Sequence, residues 1–193
     1  DKPVAVFGGH QCANVPAGVL ACDHLVEQLP PVNLWGRQFV TVPLAGRSGG
    51  DTFRILAMTD GTLVAVNGEV VARLDRGQFH ERTNAGPAQI SASEPVLVAQ
   101  YANGQVFDGS SGDPFMMLVP PAEQFGGSYI LATPRLFDYP AFEYVDLFAN
   151  YVNLTVRTNG IGTILLDGSP VSAGLFQPIG NSGYAGAQVP VPP

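Results

Sequence analysis

The sequence predicts an all-β protein: a β-sandwich made of two related, internally duplicated β-units of about 90–100 residues, with minimal helix. Short valine-rich runs are separated by turn signals such as Asp60-Gly61 and Asn67-Gly68, which supply the positive φ angles of tight hairpin turns. The 193 residues include 23 Gly and 17 Pro, scattered between apolar runs rather than collected in low-complexity tracts. Many short strands joined by tight turns have this composition.

Strand-like runs follow one another along the first half of the chain. They lie at residues 2–7, 38–43, 53–58, 63–66, 70–74, 78–82 and 95–101. A helical turn is predicted at residues 23–29, where Asp23 caps the start and Pro30 ends it. His24 and Glu27 are expected to anchor this turn through hydrogen bonds.

The second half of the chain repeats the first. Residues 94–101 match residues 2–9, and CDHLVEQLPP at 22–31 matches GDPFMMLVPP at 112–121. Trp35-Gly36 falls opposite Phe125-Gly126, Phe39-Val40 falls opposite Tyr129-Ile130, and the two turns after residue 58 recur after residue 156. We therefore predict a first unit at 1–92, bearing the cysteines, and a second at 93–193 with an aromatic insertion at 134–151. One continuous domain is the alternative.

Charge and hydropathy exclude two classes of partner. The net charge is −7 and no cluster of Lys and Arg is present, so a nucleic-acid partner is not expected. No apolar run has the length that spans a bilayer, so membrane insertion is not expected either.

Four stretches carry a resemblance to a known family. They are KPVAVFGGHQCANVP (2–16), ACDHLVEQLPPVNLWG (21–36), PLAGRSGGD (43–51) and GDPFMMLVPPAEQ (112–124). Together they resemble the N-terminal domain family of IgG-Fc-binding proteins. The resemblance implies an extracellular, non-catalytic binding or adhesion module of a larger secreted or cell-surface protein. Its implied partners are a host or matrix glycoprotein or glycan, immunoglobulin Fc among them, and other domains of the same chain.

Cys12 and Cys22 are the two cysteines. In the oxidising compartment that the resemblance implies, such a pair predicts a disulfide. Zinc is the alternative, because His10, Cys12, Cys22 and His24 form a symmetric set of four ligands, the number that tetrahedral zinc requires. Free thiols are the third possibility.

No catalytic residues are predicted, because no nucleophile or metalloprotease motif is present. No cofactor is predicted. Calcium stays a hypothesis unsupported by a motif, since the loop acids do not form a calcium-loop pattern. These acids are Asp51, Asp60, Asp108, Asp113, Asp138, Glu143 and Asp146.

The ligand-binding residues that we predict are Tyr139, Phe142 and Tyr144, in the aromatic insertion where the two halves differ. Packing of the same aromatics as a lid is the alternative. The first functional hypothesis is an extracellular binding module, the second a structural spacer or stalk domain of a large adhesin, and the third a metal-dependent hydrolase.

Overall fold

The computed structural model describes residues 2–109, 112–133, 136–138, 140, 142–145 and 149–192. The strands are β1 (Val6–Ala13), β2 (Asp23–Leu29), β3 (Gly36–Thr41), β4 (Asp51–Ala57), β5 (Thr62–Val66), β6 (Glu69–Leu74), β7 (Phe79–Asn84), β8 (Ala88–Tyr101), β9 (Met116–Val119), β10 (Leu136–Asp138), β11 (Glu143–Val145), β12 (Asn150–Arg157), β13 (Leu165–Leu166), β14 (Ser169–Pro170), β15 (Gln177–Pro178) and β16 (Tyr184–Val191). One short helix, α1 (Gln105–Asp108), and 3₁₀ turns at Val32–Leu34, Ala122–Gln124, Thr158–Thr163 and Ala173–Leu175 complete the described elements.

The prediction of an all-β fold with minimal helix is confirmed. The largest sheet has the order β6-β5-β8-β4-β7, and β3 and β9 also pair with β8. β12, β16 and β15 form a second sheet, and β1-β2, β10-β11 and β13-β14 are two-stranded sheets. In the described residues no helix has the length and apolar character needed to cross a membrane.

The main core lies against the largest sheet. Along β4, Phe53, Ile55 and Ala57 are buried at alternate positions, as the period of a strand requires. They pack with Val64 of β5 and Val98 of β8. Each large apolar side chain buried in this way stabilises the fold by about 1.5–3 kcal/mol.

The predicted helical turn at residues 23–29 is wrong, because Asp23–Leu29 is strand β2. It pairs antiparallel with β1, so its backbone groups find partners in another segment rather than within a helix. Leu25 is buried while its neighbours His24 and Val26 are exposed, which is the two-residue period of a strand. Asp23, His24 and Glu27 are therefore strand residues and do not anchor a turn.

The matched segments of the two halves pair in the same register. Val6 lies opposite Leu29 in the β1-β2 pair, and their counterparts Val98 and Val119 lie opposite each other in the β8-β9 pair. The match continues for three more positions, ending with Gly9 opposite Val26 and Tyr101 opposite Met116. The first strand pair of each half is thus built alike.

Two turns are also repeated. The β5-β6 hairpin turns at Asn67-Gly68 and the β13-β14 hairpin at Asp167-Gly168, with positive φ at all four residues. Each double proline leads into a 3₁₀ turn, Val32–Leu34 in the first half and Ala122–Gln124 in the second. The two proline turns pack together at Gly36, where a Cβ atom would lie 2.2 Å from Cβ of Pro121.

The halves share one sheet at β8 and differ after the second double proline. The predicted boundary between residues 92 and 93 falls inside β8. This strand pairs with β3, β4 and β5, which precede it in sequence, and with β9, which follows it. Phe39 and Val40 are buried in β3, whereas Tyr129 and Ile130, their counterparts, lie outside any strand. The division at 1–92 and 93–193 stays a prediction.

Candidate functional site

The disulfide between Cys12 and Cys22 is present, as predicted. It lies at the loop end of the β1-β2 hairpin, next to the pairing of Ala13 with Asp23. The bridge joins two residues ten positions apart, and the two Cα atoms are 4.0 Å apart. It therefore acts as a local cross-link of one hairpin.

The zinc alternative is wrong, because both of its thiolate ligands are consumed in the disulfide. Nδ1 of His10 accepts a hydrogen bond from the backbone N–H of Cys12 at 3.0 Å. His24 is exposed on β2. The metal-dependent hydrolase hypothesis loses the ligand set on which it depended.

Three acids of the calcium hypothesis, Asp51, Asp60 and Asp108, make contacts that serve the fold. Oδ2 of Asp108 lies 2.9 Å from Nη1 of Arg47, and the Asp108 side chain is fully buried. Oδ1 of Asp60 accepts the backbone N–H of Arg76 at 2.9 Å. In the described part of the chain no three His, Cys, Asp or Glu residues converge as a metal site. Asp146 lies outside the described residues.

Asp51 belongs to the buried polar cluster beside Asp108. Its Oδ2 accepts the backbone N–H of Leu44 at 2.8 Å and Nε2 of Gln100 at 2.7 Å. Burial raises the pKa of the Asp51 carboxyl. The two hydrogen bonds favour the ionised form and lower the pKa, but by less than burial raises it. The cluster connects β4 and β8 to the loop after β3, so its role is structural.

An exposed apolar surface lies where the second half departs from the first. We call it the YIL surface: Tyr129, Ile130 and Leu131, with Leu165 of β13 beside them. Ile130 is fully exposed, and Tyr129 and Leu131 are 70% and 54% exposed. The four side chains line one cavity of about 490 Å³. Three consecutive large apolar residues in water make this surface a candidate interaction site, since single exposed apolar residues are common but such runs are not.

The backbone at the YIL surface is held in place without pairing in a sheet. The hydroxyl oxygen of Tyr129 accepts the backbone N–H of Gly126 at 2.7 Å. This bond fixes the chain just after the 3₁₀ turn Ala122–Gln124. The segment therefore presents apolar side chains and strand-forming sequence at the surface without a strand partner among the described residues.

The aromatic insertion follows directly in sequence and contains the predicted ligand-binding residues. Its described part forms a hairpin, β10 with β11, in which Phe137 lies opposite Tyr144. Phe142 is exposed in the connection before β11 and has a positive φ of 56°. Tyr139 lies outside the described residues. The prediction that Tyr139, Phe142 and Tyr144 contact a ligand stays a prediction.

The sequence did not predict Tyr129, Ile130 and Leu131 as exposed surface residues. The repeat placed Tyr129 and Ile130 opposite Phe39 and Val40, which belong to a buried strand. The match itself was sound through the double proline and its 3₁₀ turn. A signal was available, since β3 runs on into the loop GRSGG whereas its counterpart runs into the aromatic insertion.

Two other concave sites are less suited to a ligand. A cleft of about 410 Å³ lies between the two double prolines and is lined by Trp35 and Leu118, among others. Its lining comes from both halves of the chain, so the cleft is part of the packing between them, and Trp35 Nε1 donates to the carbonyl of Pro30 at 3.2 Å within the first half. A second cavity lies under the β1-β2 hairpin, but its cation, Arg54, already pairs with Glu81 at 2.6 Å.

Comparison with known proteins identifies relatives of the whole chain. The model of the family described as IgGFc binding protein matches residues 1–192. A human protein named IgGFc-binding protein is 28% identical over 195 residues, which cover 98% of this chain. The chain spans only 3% of that relative's length. No solved structure matches the chain.

Proposed function

The chain belongs to the IgGFc-binding protein family, and from this premise we propose that it is an extracellular, non-catalytic module that binds a secreted protein through the YIL surface. The family and the β-rich, disulfide-bonded fold support an extracellular binding module. The identity of the partner and the face that binds it are our proposal.

The observation that carries the proposal is the exposure of Tyr129, Ile130 and Leu131. Their sequence counterparts in the first half begin with Phe39 and Val40, which are buried in β3 and pair with β8. Strand-forming apolar residues left in water are a cost to solubility, and edges of this kind are normally covered or charged. The exposure of these residues is explained if another molecule binds over them.

The ligand that fits this surface is an extended segment of a protein. β3 obtains its hydrogen bonds from β8, with Phe39 opposite Ile90. A ligand strand would supply the same bonds to residues 128–133, and its side chains would enter the cavity beside Leu165. The YIL residues give the lining apolar side chains and Asp167 gives it a negative charge, so apolar ligand side chains are favoured over an acidic glycan.

The partner class follows from the relative and from the compartment. The human relative is named for binding the Fc part of immunoglobulin G, so Fc is the first partner to test. Secreted or matrix glycoproteins are the wider class. In this proposal Tyr139, Phe142 and Tyr144 also contribute to binding the partner.

A pair of matched variants tests the proposal. Ile130→Ser removes an exposed apolar side chain from the YIL surface. Val70→Ser, the control, removes an exposed apolar side chain from β6, which is not part of that surface. Binding is measured by surface plasmon resonance to immobilised immunoglobulin G Fc and to an array of secreted glycoproteins. We expect binding to at least one of these, at least a tenfold loss for Ile130→Ser, and none for Val70→Ser. Melting temperatures should match in all three proteins.

Two outcomes would overturn the proposal. If the wild-type chain binds no member of the array at micromolar concentration, the binding function is wrong and the spacer alternative is favoured. If binding is found but Ile130→Ser and the triple alanine variant of Tyr139, Phe142 and Tyr144 both retain it, the module binds through another face.

A further inference from the structure

The start of strand β1 is exposed, whereas the matching part of its counterpart, β8, is buried. Val4 and Val6 match Val96 and Val98 of β8 in the repeat. Val96 and Val98 are fully buried, whereas Val4 and Val6 are 83% and 50% exposed. The difference is not in the strand pair itself, because β1-β2 and β8-β9 have the same register.

The missing neighbour can be identified from β8. At Val98 both edges of β8 are paired, one with Val119 of β9 and the other with Ile55 of β4. At Val6 the described chain supplies Leu29 of β2, the counterpart of Val119, and nothing in the place of β4. Among the described residues β1 therefore has one open edge, and the apolar side chains of Val6 and of Val4 just before it lie at positions whose counterparts in β8 are buried.

The counterpart of β4 in the second half is β12. Both strands lead into a related sequence, Thr59-Asp60-Gly61 after β4 and Thr158-Asn159-Gly160 after β12. Phe53, Ile55 and Ala57 of β4 point into the main core, and Leu154 and Val156 of β12 point into the second core at the positions matching Ile55 and Ala57. β4 pairs with β7 and β8, whereas β12 pairs only with β16 among the described residues.

We propose that β1 of one copy of this chain adds to β12 of a second copy, as β8 adds to β4 within the chain. Transferring the β4-β8 register, in which Ile55 lies opposite Val98 and Arg54 opposite Ala99, gives a defined pairing. Leu154 of one copy lies opposite Val6 of the other, and Asn153 lies opposite Phe7. Val4 and Val6 become buried, and both open edges gain backbone hydrogen bonds.

The contact is head-to-tail, because it joins two different edges of the same chain. Such an interface does not close on itself in a dimer unless the rotation allows it, so copies can follow one another in a row. This inference concerns β1 and β12 and does not depend on the YIL surface.

Neighbouring residues of β1 provide a matched test, because they face opposite sides of the strand. Lysine at inward-facing edge positions blocks strand addition, a device that natural sheets use. In sedimentation velocity, the wild-type chain should show a sedimentation coefficient that rises with concentration. Val4→Lys with Val6→Lys should hold the monomer value at all concentrations, while Phe7→Lys, on the outer face, should leave the rise unchanged.

Cysteine pairing tests the register independently. Phe7→Cys and Asn153→Cys chains are mixed in equal amounts and oxidised, and non-reducing electrophoresis measures any species of twice the 20.3 kDa chain mass. The mixture should form this species at least tenfold more than either variant alone. A wild-type chain that stays monomeric, an association that survives the double lysine change, or equal cross-linking by single variants and mixture would each overturn the proposal.

Discussion

Replacing Ile130 and Val40 by alanine, one at a time, compares two positions that the repeat makes equivalent. Val40 is 4% exposed and packs with Val42 and Ile179, whereas Ile130 is fully exposed. Val40→Ala removes two buried methyl groups at about 0.8 kcal/mol each, and the cavity left behind brings the loss to about 2 kcal/mol. Ile130→Ala removes atoms that are already in water, so the free energy of unfolding should change by less than about 0.5 kcal/mol.

Urea unfolding followed by tryptophan fluorescence gives the free energy of unfolding from the midpoint and the slope. Unchanged slopes in both variants would show that the difference lies in stability and not in the unfolded state. If Ile130→Ala lost as much stability as Val40→Ala, the YIL surface would be part of the core. Tyr129, Ile130 and Leu131 would then serve the fold and would not form a binding surface.

Two further predictions concern the buried carboxyl and the disulfide. Because burial raises the pKa of Asp51 above its ordinary 3.8, the folded state holds this proton more tightly than the unfolded chain, so this group's stabilising contribution is lost as the pH rises through the raised pKa. The free energy of unfolding of the wild type minus that of Asp51→Asn should therefore be largest at acid pH. Parallel pH profiles of the two unfolding free energies would contradict this. Replacing Cys12 and Cys22 together by serine should lower the unfolding free energy by about 3 kcal/mol through the loop of ten residues, measured by urea unfolding; no loss would mean that the hairpin is fixed by its packing alone.

The repeat shows how far local sequence can be trusted. Asn67-Gly68 and Asp167-Gly168 were expected to turn alike and do so, because positive φ at these residue types is set by the residues themselves. The double prolines behave in the same way, since each ends a strand and begins a 3₁₀ turn. These features need no distant partner.

Elements whose hydrogen bonds come from elsewhere were predicted less well. Asp23–Leu29 has the cap and the stop of a short helix, yet it is a strand because β1 offers it an antiparallel partner along most of its length. Tyr129 and Ile130 have the same strand-forming character as Phe39 and Val40, yet they are not in a strand, because β8 already pairs with β3 and no equivalent strand is placed beside them in the described chain.

The sequence by itself determined the β class, the tight turns, the disulfide candidate and the match between the strand segments of the two halves. Each of these depends on a residue's own backbone preference or on a match between segments of the same chain. Only the tertiary structure decided which strand edges and apolar residues remain open, at β1 and at the YIL surface. Exposure depends on which distant segment pairs with each edge, and the hydrogen-bonding groups of one strand do not specify which segment that is.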